Sequence, residues 1–539
     1  MFFILSLISF FWLIRTLKAV LFWIYLWQLK EYHIGRFLDH FRTHKGKKIF
    51  FNFFFAIKLL LLPLFFLSST ISFYILLAIY VLELIVIAIR GLKRPVLTLK
   101  TILLTLVLCL IVISYLLLVS RHIKSLDIVY YLLLLDIFTP AIVSAVVLLV
   151  QPVFVYFRIK ILKKAAKKIT GFKDLTVIGI TGSYGKTSTK EFLTTILSSR
   201  FKVLSTKDHK NSEMGIAQTI LNELKPEHQV FVVEMGAYNK GGIKLLCDIV
   251  RLEIGIVTGV NEQHLSTFKS IENLLSAEGG QELLKSLPHN GLLAVNGDNK
   301  YCLDLYKRAK TIGNTGIPIA AKVYTLLGNK VSSDIWAEEI SVHEDSLDFM
   351  TVTKEKEAAH FNVNIPGRQN IQNLLGAILV AKELGMTLED ISLAARNIKQ
   401  EQAGIILKRG IRGINIIDSS YSSNPDGVMA DLDYLNVFKG KKVIVMPCLI
   451  ELGKKSKEVH QQIGKKIAEV CDMAVITTKD KFEDIKAGAM NNRMPADKII
   501  FNENPKKTFQ LITMSCKSGD VILLEGGRPK ELIKLLINR

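Results

Sequence analysis

Hydrophobic positions fall into two patterns along the 539 residues of this chain. Up to about residue 157 they form long continuous runs, near 1–28, 49–69, 72–89, 101–119 and 128–157. Each run is near or beyond the roughly 20 apolar residues that carry a helix across a bilayer, so about five passes are expected. After residue 170 the runs shorten and alternate with helix-like stretches. Those at 177–180, 229–234, 254–259, 291–296, 414–418, 442–447, 472–477 and 520–525 read as buried strands of α/β layers with largely parallel sheets. About 370 residues exceed what one core accommodates, so two domains are expected there. A helical stretch ends before a strand begins at Ile414, which places the break near 400–411. The expected organisation is a multi-pass α-helical transmembrane region over 1–160 and α/β domains over 170–403 and 404–539, without internal repeat or low-complexity linker.

Charge follows the same division. Residues 1–169 hold 21 Lys and Arg against 5 Asp and Glu, so most of the net charge of +21 belongs to the apolar part and no nucleic-acid partner is expected. Segments 29–48, 90–100 and 158–168 carry 6, 4 and 6 cations, while the turns at 70–71 and 120–127 carry none and two. The positive-inside rule makes the first three cytoplasmic, with the N-terminus outside and the α/β part inside. Arg15 and Lys18 interrupt the first run and no small-residue cleavage site follows, which argues against a cleaved signal peptide. Each of these cations costs about 2.5–3.5 kcal/mol at the centre of a spanning helix. Two readings answer that cost. An anionic headgroup or polyprenyl diphosphate lies between the helices, or residues 1–28 sit partly in the interface or form a re-entrant pair whose charges snorkel, the reading the pattern favours. Lys58 and Glu83 are expected to pair within the membrane, and Asp136 is a further buried charge. The six cysteines show no metal or disulfide spacing, which suits a reducing compartment.

The clearest chemistry is the stretch Thr181-Gly182-Ser183-Tyr184-Gly185-Lys186-Thr187-Ser188, which joins the strand at 177–180 to a helix read over 187–198. Gly182 and Gly185 let the loop turn its backbone N–H groups toward an anion at the helix N-terminus. Lys186 supplies a point charge for the outer phosphates of ATP, and the Thr187 hydroxyl is placed to ligate Mg²⁺. Ile180 stands where the first glycine of the ordinary six-step loop would be. Glu234 ends another strand, and a carboxylate oxygen there suits a hard cation. His264 follows a third; a lone histidine is as a rule structural.

The order of these motifs resembles the Mur ligase family, and within it the branch that adds D-alanyl-D-alanine to UDP-N-acetylmuramoyl-tripeptide. The resemblance runs from about Val177 to Leu536 and rests on the loop, on Val233-Glu234-Met235-Gly236-Ala237, on His264-Leu265 with Phe268, and on Val295-Asn296-Gly297-Asp298. It continues through Pro366-Gly367-Arg368-Gln369-Asn370-Ile371-Gln372-Asn373, Ile417-Asp418-Ser419-Ser420-Tyr421-Ser422-Ser423-Asn424-Pro425, and Glu451-Leu452-Gly453 with His460 and Gly464. It implies a P-loop-type central Mur ligase domain that binds ATP and a Rossmann-like C-terminal Mur ligase domain that closes over it. By carry-over, Thr187 and Glu234 would hold one Mg²⁺ and His264 a second. Asn296, Asn370 and Asn373 would lie near the base, Asp418 would contact ribose or orient substrate, and Tyr421, Asn424 and Pro425 would lie toward substrate. Lys186, Glu234, His264 and Glu278 would be the catalytic set, and the partners a UDP-linked or lipid-linked muramoyl peptide, D-alanyl-D-alanine and membrane lipid. That the membrane is a bacterial cell membrane is likewise what the resemblance implies.

The chain departs from the family in five places. Glu278 stands fourteen residues after His264, where most members have a carbamylated lysine, so its carboxylate is expected to serve as Mg²⁺ ligand or support; the plainer alternative is a solvated helix glutamate. Gly404-Ile405 replaces a Gly-Arg pair, with Lys408 or Arg409 as substitute cations. Ser419 replaces an acidic residue, and Glu525 a lysine. Apolar helices replace the soluble domain that grips UDP, either parking a conventional enzyme at the membrane or presenting a lipid-linked acceptor. The leading expectation is the D-alanyl-D-alanine-adding ligase. A membrane-bound ligase of another polymer such as poly-γ-glutamate and a non-catalytic nucleotide-binding scaffold are the alternatives.

Overall fold

The computed structural model describes every residue except 1, 42, 51, 123–126, 208–209, 262–264, 312–318, 327, 329–331, 421–423, 451, 527–529 and 538–539. Two compact units result, Met1–Ile159 and Lys160–Arg539.

Four described helices are long and apolar enough to cross a membrane, containing Leu7–Leu29, Ser69–Ile89 and Leu99–Arg121 in the first unit and Asp127–Ile169, which begins there and continues past Ile159. The run read at 49–69 instead yields a shorter apolar helix, Phe53–Leu67, started by the Asn52 side chain accepting from Phe55 N–H and ended at Ser68. Residues 1–28 correct the expectation of a re-entrant pair and, for Arg15, that of a snorkelling side chain. Phe2–Leu29 is one continuous helix, and the Arg15 guanidinium is turned to Glu83 and Asp136 within the unit. Paired carboxylates offset the cost that snorkelling would otherwise relieve. The expected Lys58–Glu83 pair is present at 2.6 Å. Trp27 stacks on Phe37 with ring centroids 3.9 Å apart and donates to Ser144 Oγ at 3.1 Å; Trp12 donates to the Leu132 carbonyl at 2.8 Å. Leu67, Leu99, Leu149 and Phe66 point outward, a broad apolar surface suited to lipid tails.

The second unit contains two sheets. The first is formed by β1 Thr176–Thr181, β2 Val203–Ser205, β3 Val230–Glu234, β4 Ile254–Val257, β5 Leu292–Asn296, β6 Ala320–Thr325, β7 Ile335–Val342, β8 Leu347–Thr353 and β9 Ala358–Val363. Its order is β2-β3-β1-β4-β5-β6-β7-β8-β9. Pairing is parallel from β2 to β7, then antiparallel through β8 and β9, so the sheet is mixed rather than wholly parallel. The second sheet comprises β10 Ile406–Arg409, β11 Asn415–Ser419, β12 Lys442–Met446, β13 Met473–Ile476, β14 Ile499–Phe501 and β15 Val521–Glu525, in the order β10-β11-β15-β12-β13-β14. Only β10 runs antiparallel there. Buried β-branched and leucine side chains fill β1, β3, β4 and β5, as strands covered on both faces require.

Two helices beside the second sheet touch backbone to backbone. A Cβ at Gly464, in helix Ser456–Val470, would lie 2.0 Å from the Ile485 carbonyl oxygen of helix Phe482–Asn491. One at Gly488 would lie 2.1 Å from the Gln461 carbonyl oxygen. Gly464→Ala and Gly488→Ala are each expected to cost about 1–3 kcal/mol by forcing the helices apart. Urea unfolding of the full chain checks this, and unchanged midpoints in both variants would contradict so close a contact.

Candidate active site

The first sheet sets the site through register. Ile180 lies beside Glu234, and Thr181 beside Val257, so the ends of β1, β3 and β4 meet at one edge, where parallel α/β sheets hold ligands. The loop leaving β1 is pinned to the chain leaving β4. Thr258 N–H donates to the Thr181 carbonyl at 3.0 Å, and Ser183 N–H to the Gly259 carbonyl at 2.7 Å. Thr258 Oγ1 also donates to the Tyr184 carbonyl. Glycine is required at both turns of the loop: Gly182 has φ +140° and Gly185 φ +76°, and a Cβ at Gly185 would lie 2.4 Å from Asn373 Oδ1. Gly185 is the N-cap of helix Lys186–Leu197, so the loop delivers the chain straight to a helix N-terminus.

The polar side chains divide into groups. Thr187 Oγ1 donates to Glu234 Oε2 at 3.0 Å, and Asn211 Nδ2 holds Glu234 Oε1 at 2.9 Å. Lys190, fully buried, lies 3.9 Å from Glu234 and donates to the Thr206 carbonyl at 2.6 Å. Lys186 donates back to the Gly182 carbonyl. Ser188 is buried in the first turn of the helix. Glu278 is 2 % exposed and accepts from Ser183 Oγ at 3.1 Å; a solvated helix position is thereby corrected, because the residue lies in the turn between helices Ile271–Ser276 and Gln281–Ser286. Burial pushes the Tyr184 hydroxyl up, with Asp426 adding to the shift. Asn373 Nδ2 donates to Asn370 Oδ1 at 3.1 Å, and Asn370 Nδ2 to the Pro366 carbonyl at 2.8 Å. Asn296 is occupied elsewhere, donating to the Thr258 carbonyl at 2.8 Å and accepting from Asp298 N–H.

The oxygens of Thr187 and Glu234 form a hard-donor pair that fits Mg²⁺, which keeps several waters and takes few protein ligands. Among the described residues no group of three or more His, Cys, Asp or Glu forms a metal cluster. His264 and Tyr421 lie outside the described residues.

The second sheet contributes Asp418, on β11, which accepts from Lys408 at 2.6 Å and Ser420 Oγ at 2.6 Å. Burial alone would raise this carboxyl, but the Lys408 and Ser420 hydrogen bonds outweigh it and hold it below its usual range. Lys408 is therefore committed to Asp418, and Ile405 is buried in the core. Asn424 caps helix Pro425–Leu435 by accepting from Gly427 N–H at 3.0 Å, with Pro425 in its first turn. Asn261 reaches this helix start from the first sheet, donating to Asp426 at 2.7 Å and Asn424 at 3.3 Å. Sequence reasoning missed Asn211, Lys190, Thr258 and Asn261. Of these Lys190 carried a signal, four residues after Lys186 on the same helix face, and Asn261 opens the polar cluster that follows the strand at 254–259, where no role was assigned to it.

Family models for the Mur ligase middle domain and for the Mur ligase, glutamate ligase domain match residues 180–381 and 406–528. The chain belongs to the Mur ligase family. UDP-N-acetylmuramoyl-tripeptide--D-alanyl-D-alanine ligase of Escherichia coli strain K12 is 30% identical over 289 residues, 54% of this chain and 61% of that enzyme. The ligase of the same name from Bacillus subtilis strain 168 is 26% identical over 383 residues, covering 70% and 79%. The crystal structure of MurF from Acinetobacter baumannii aligns with a TM-score of 0.62 at 25% identity, over 70% of this chain and 79% of that one. This Mur ligase thus spans about 61% of one curated relative's length and 79% of another's, and its apolar helices precede the family matches.

One departure of this Mur ligase has a visible structural outcome. Ser419 and Glu525 sit side by side in register, and Asp431 accepts from Ser419 Oγ and, at 3.0 Å, from Gln369 Nε2. Burial pushes the Asp431 carboxyl up to about 7 against hydrogen bonds that favour its ionised form. Burial first, and then Asp431, carry Glu525 well above its usual range. Both shifts are upward, so the folded state binds more protons than the unfolded chain, and stability falls as pH rises from about 4 toward 7. Glu525→Gln is expected to flatten that fall, measured by denaturant unfolding across the window; an unaltered slope would place its origin elsewhere.

Proposed function

We propose that this Mur ligase is an ATP-dependent amide ligase of peptidoglycan precursor synthesis. It would join D-alanyl-D-alanine to a muramoyl tripeptide through an acyl phosphate, at the cytoplasmic face of the bacterial membrane. The observation that carries the reading is the pinned loop Thr181–Thr187 with Glu234 bonded to Thr187, in a chain whose relatives bear that ligase's name. In this reading residues 1–160 form the membrane region, 170–403 the ATP-binding domain and 404–539 the C-terminal domain.

A carboxylate is a poor electrophile, and transfer of the γ-phosphoryl group gives it a leaving group that an incoming amine displaces. The loop amides and Lys186 hold the phosphates in place, Lys186 leaving the Gly182 carbonyl to do so. Thr187 and Glu234 would hold one Mg²⁺, with His264 and Glu278 toward a second; the ion would offset charge on the phosphates. Asn211 fixes the Glu234 carboxylate and Ser183 that of Glu278, so each presents one orientation. Asn370 and Asn373 stand in the first turns of helix Gln369–Glu383, near the loop, and suit contact with the nucleoside. Asp418, Asn424 and Pro425, with Tyr421, suit substrate contacts from the second sheet.

Full-length protein in detergent, given ATP, Mg²⁺ and D-alanyl-D-alanine with UDP-linked and lipid-linked muramoyl tripeptide in separate reactions, is expected to release ADP and to add one condensed dipeptide by mass. Turnover with glutamate alone would favour the poly-γ-glutamate type of ligase, and no gain on either acceptor would defeat the proposal. Glu278→Ala is expected to lower kcat roughly tenfold to a hundredfold by removing a carboxylate that supports the metal. Glu278→Lys is expected to regain activity only with added bicarbonate. Full activity of both variants without it would exclude the assigned role.

A further inference from the structure

Four charged side chains inside the first unit close a ring. Glu83 Oε2 meets Arg15 Nε at 3.1 Å and Lys58 Nζ at 2.6 Å; Asp136 meets Lys58 Nζ at 2.8 Å and also Arg15. Lys58 and Asp136 are almost wholly buried. Two cations and two carboxylates alternate, so the ring is neutral and each member is answered within it.

Lys18 is the exception. It stands three residues after Arg15 on one helix face, and among the described residues its ammonium has no carboxylate within ion-pair distance. Its recorded neighbour is the Phe22 ring, 5.8 Å away. Arg15, Lys18, Lys58, Glu83 and Asp136 line a cavity of about 140 Å³. Several waters or one compact polar group fit such a volume. Ile49, Phe55, Phe22 and Pro140 complete the wall with apolar surface. Five charged side chains around one space, with one positive charge in excess, are costly in an apolar segment unless something anionic shares it.

We infer that this cavity binds a phosphate or diphosphate group. Lys18 supplies the unmatched charge, and Arg15 and Lys58, though held by the ring, add donors in a geometry suited to phosphate oxygens. Ile49 and Asn52 border the cavity, beside the basic stretch at 29–48, so the ligand enters from that side. Two sources supply the chemistry: a membrane lipid with a phosphate headgroup, whose chains suit the apolar wall, and a soluble phosphate. The inference stands independently of the ligase reading.

The test uses full-length protein, stripped of lipid in a neutral detergent. Phosphatidic acid and diacylglycerol are titrated and bound lipid is counted by native mass spectrometry; pyrophosphate is titrated calorimetrically without lipid. One equivalent of phosphatidic acid is expected to bind, and diacylglycerol not. Lys18→Gln is expected to weaken binding by about tenfold or more, Lys18→Arg to retain it, and Lys93→Gln, at an exposed basic position, to leave it unchanged. Lys18-dependent binding of pyrophosphate alone would uphold the site and assign it to a soluble phosphate. Absence of binding by the unaltered protein to either probe, or equal binding by folded Lys18→Gln, would overturn the inference.

Discussion

The candidate active site depends on a single backbone junction, the pair of hydrogen bonds that ties the end of β1 to the end of β4 through Thr181, Ser183, Thr258 and Gly259. A loop that turns its N–H groups outward forfeits its own internal bonds, so some other part of the chain must hold its shape. Here the neighbouring strand does so. Gly259 carries no Cβ and lies against the Tyr184 ring, which locks the two segments at contact distance. From this junction follow the helix start at Lys186, the meeting of Thr187 with Glu234 and the approach of Ser183 to Glu278. A donor array held rigid before its ligand arrives does not pay for ordering later.

The first unit obeys the opposite logic. There the helices are long and apolar enough to cross a membrane, and the charges between them meet one another rather than water. Arg15, Lys58, Glu83 and Asp136 come from four different helices, and their mutual pairing fixes how those helices face each other within the unit. A polar ring of this kind contributes specificity of arrangement more than stability, since apolar replacements of equal volume would cost nothing in desolvation.

What could be read from sequence was whatever stood out against its background. Lys58 and Glu83 were legible as a pair because isolated charges in apolar runs have few possible partners. The parallel strands β1, β3, β4, β5, β11, β12, β13 and β15 were legible because their apolar runs are unbroken, whereas the parallel strands β2, β6 and β14 are short or partly exposed and were not read. The antiparallel extension through β7, β8 and β9 escaped: one face of β9 is exposed, its residues alternate, and an irregularity between Glu338 and Ser341 breaks the period of β7. At the site, Thr187 and Glu234 could be matched because each ends an apolar strand or opens the helix after one. Asn211 lies in a loop with no local pattern to reveal its approach, and Asn261, although it follows a strand, reaches Asp426 only through tertiary folding. Asn296 shows the converse, a polar residue at a strand end that spends its amide on the backbone.

The start of helix Gln369–Glu383 touches both halves of the second unit. Asn373 lies against Gly185 of the phosphate loop, Asn370 bonds to Asn373 and approaches the Ala403 carbonyl at 3.4 Å, and Gln369 donates to Asp431 beneath the second sheet. Three residues within about one turn thus report the state of the loop to the other sheet, and the reverse. Thermodynamic linkage makes such a connection symmetric: whatever free energy a filled phosphate loop gives to one arrangement of the two sheets, that arrangement returns to the affinity of the loop.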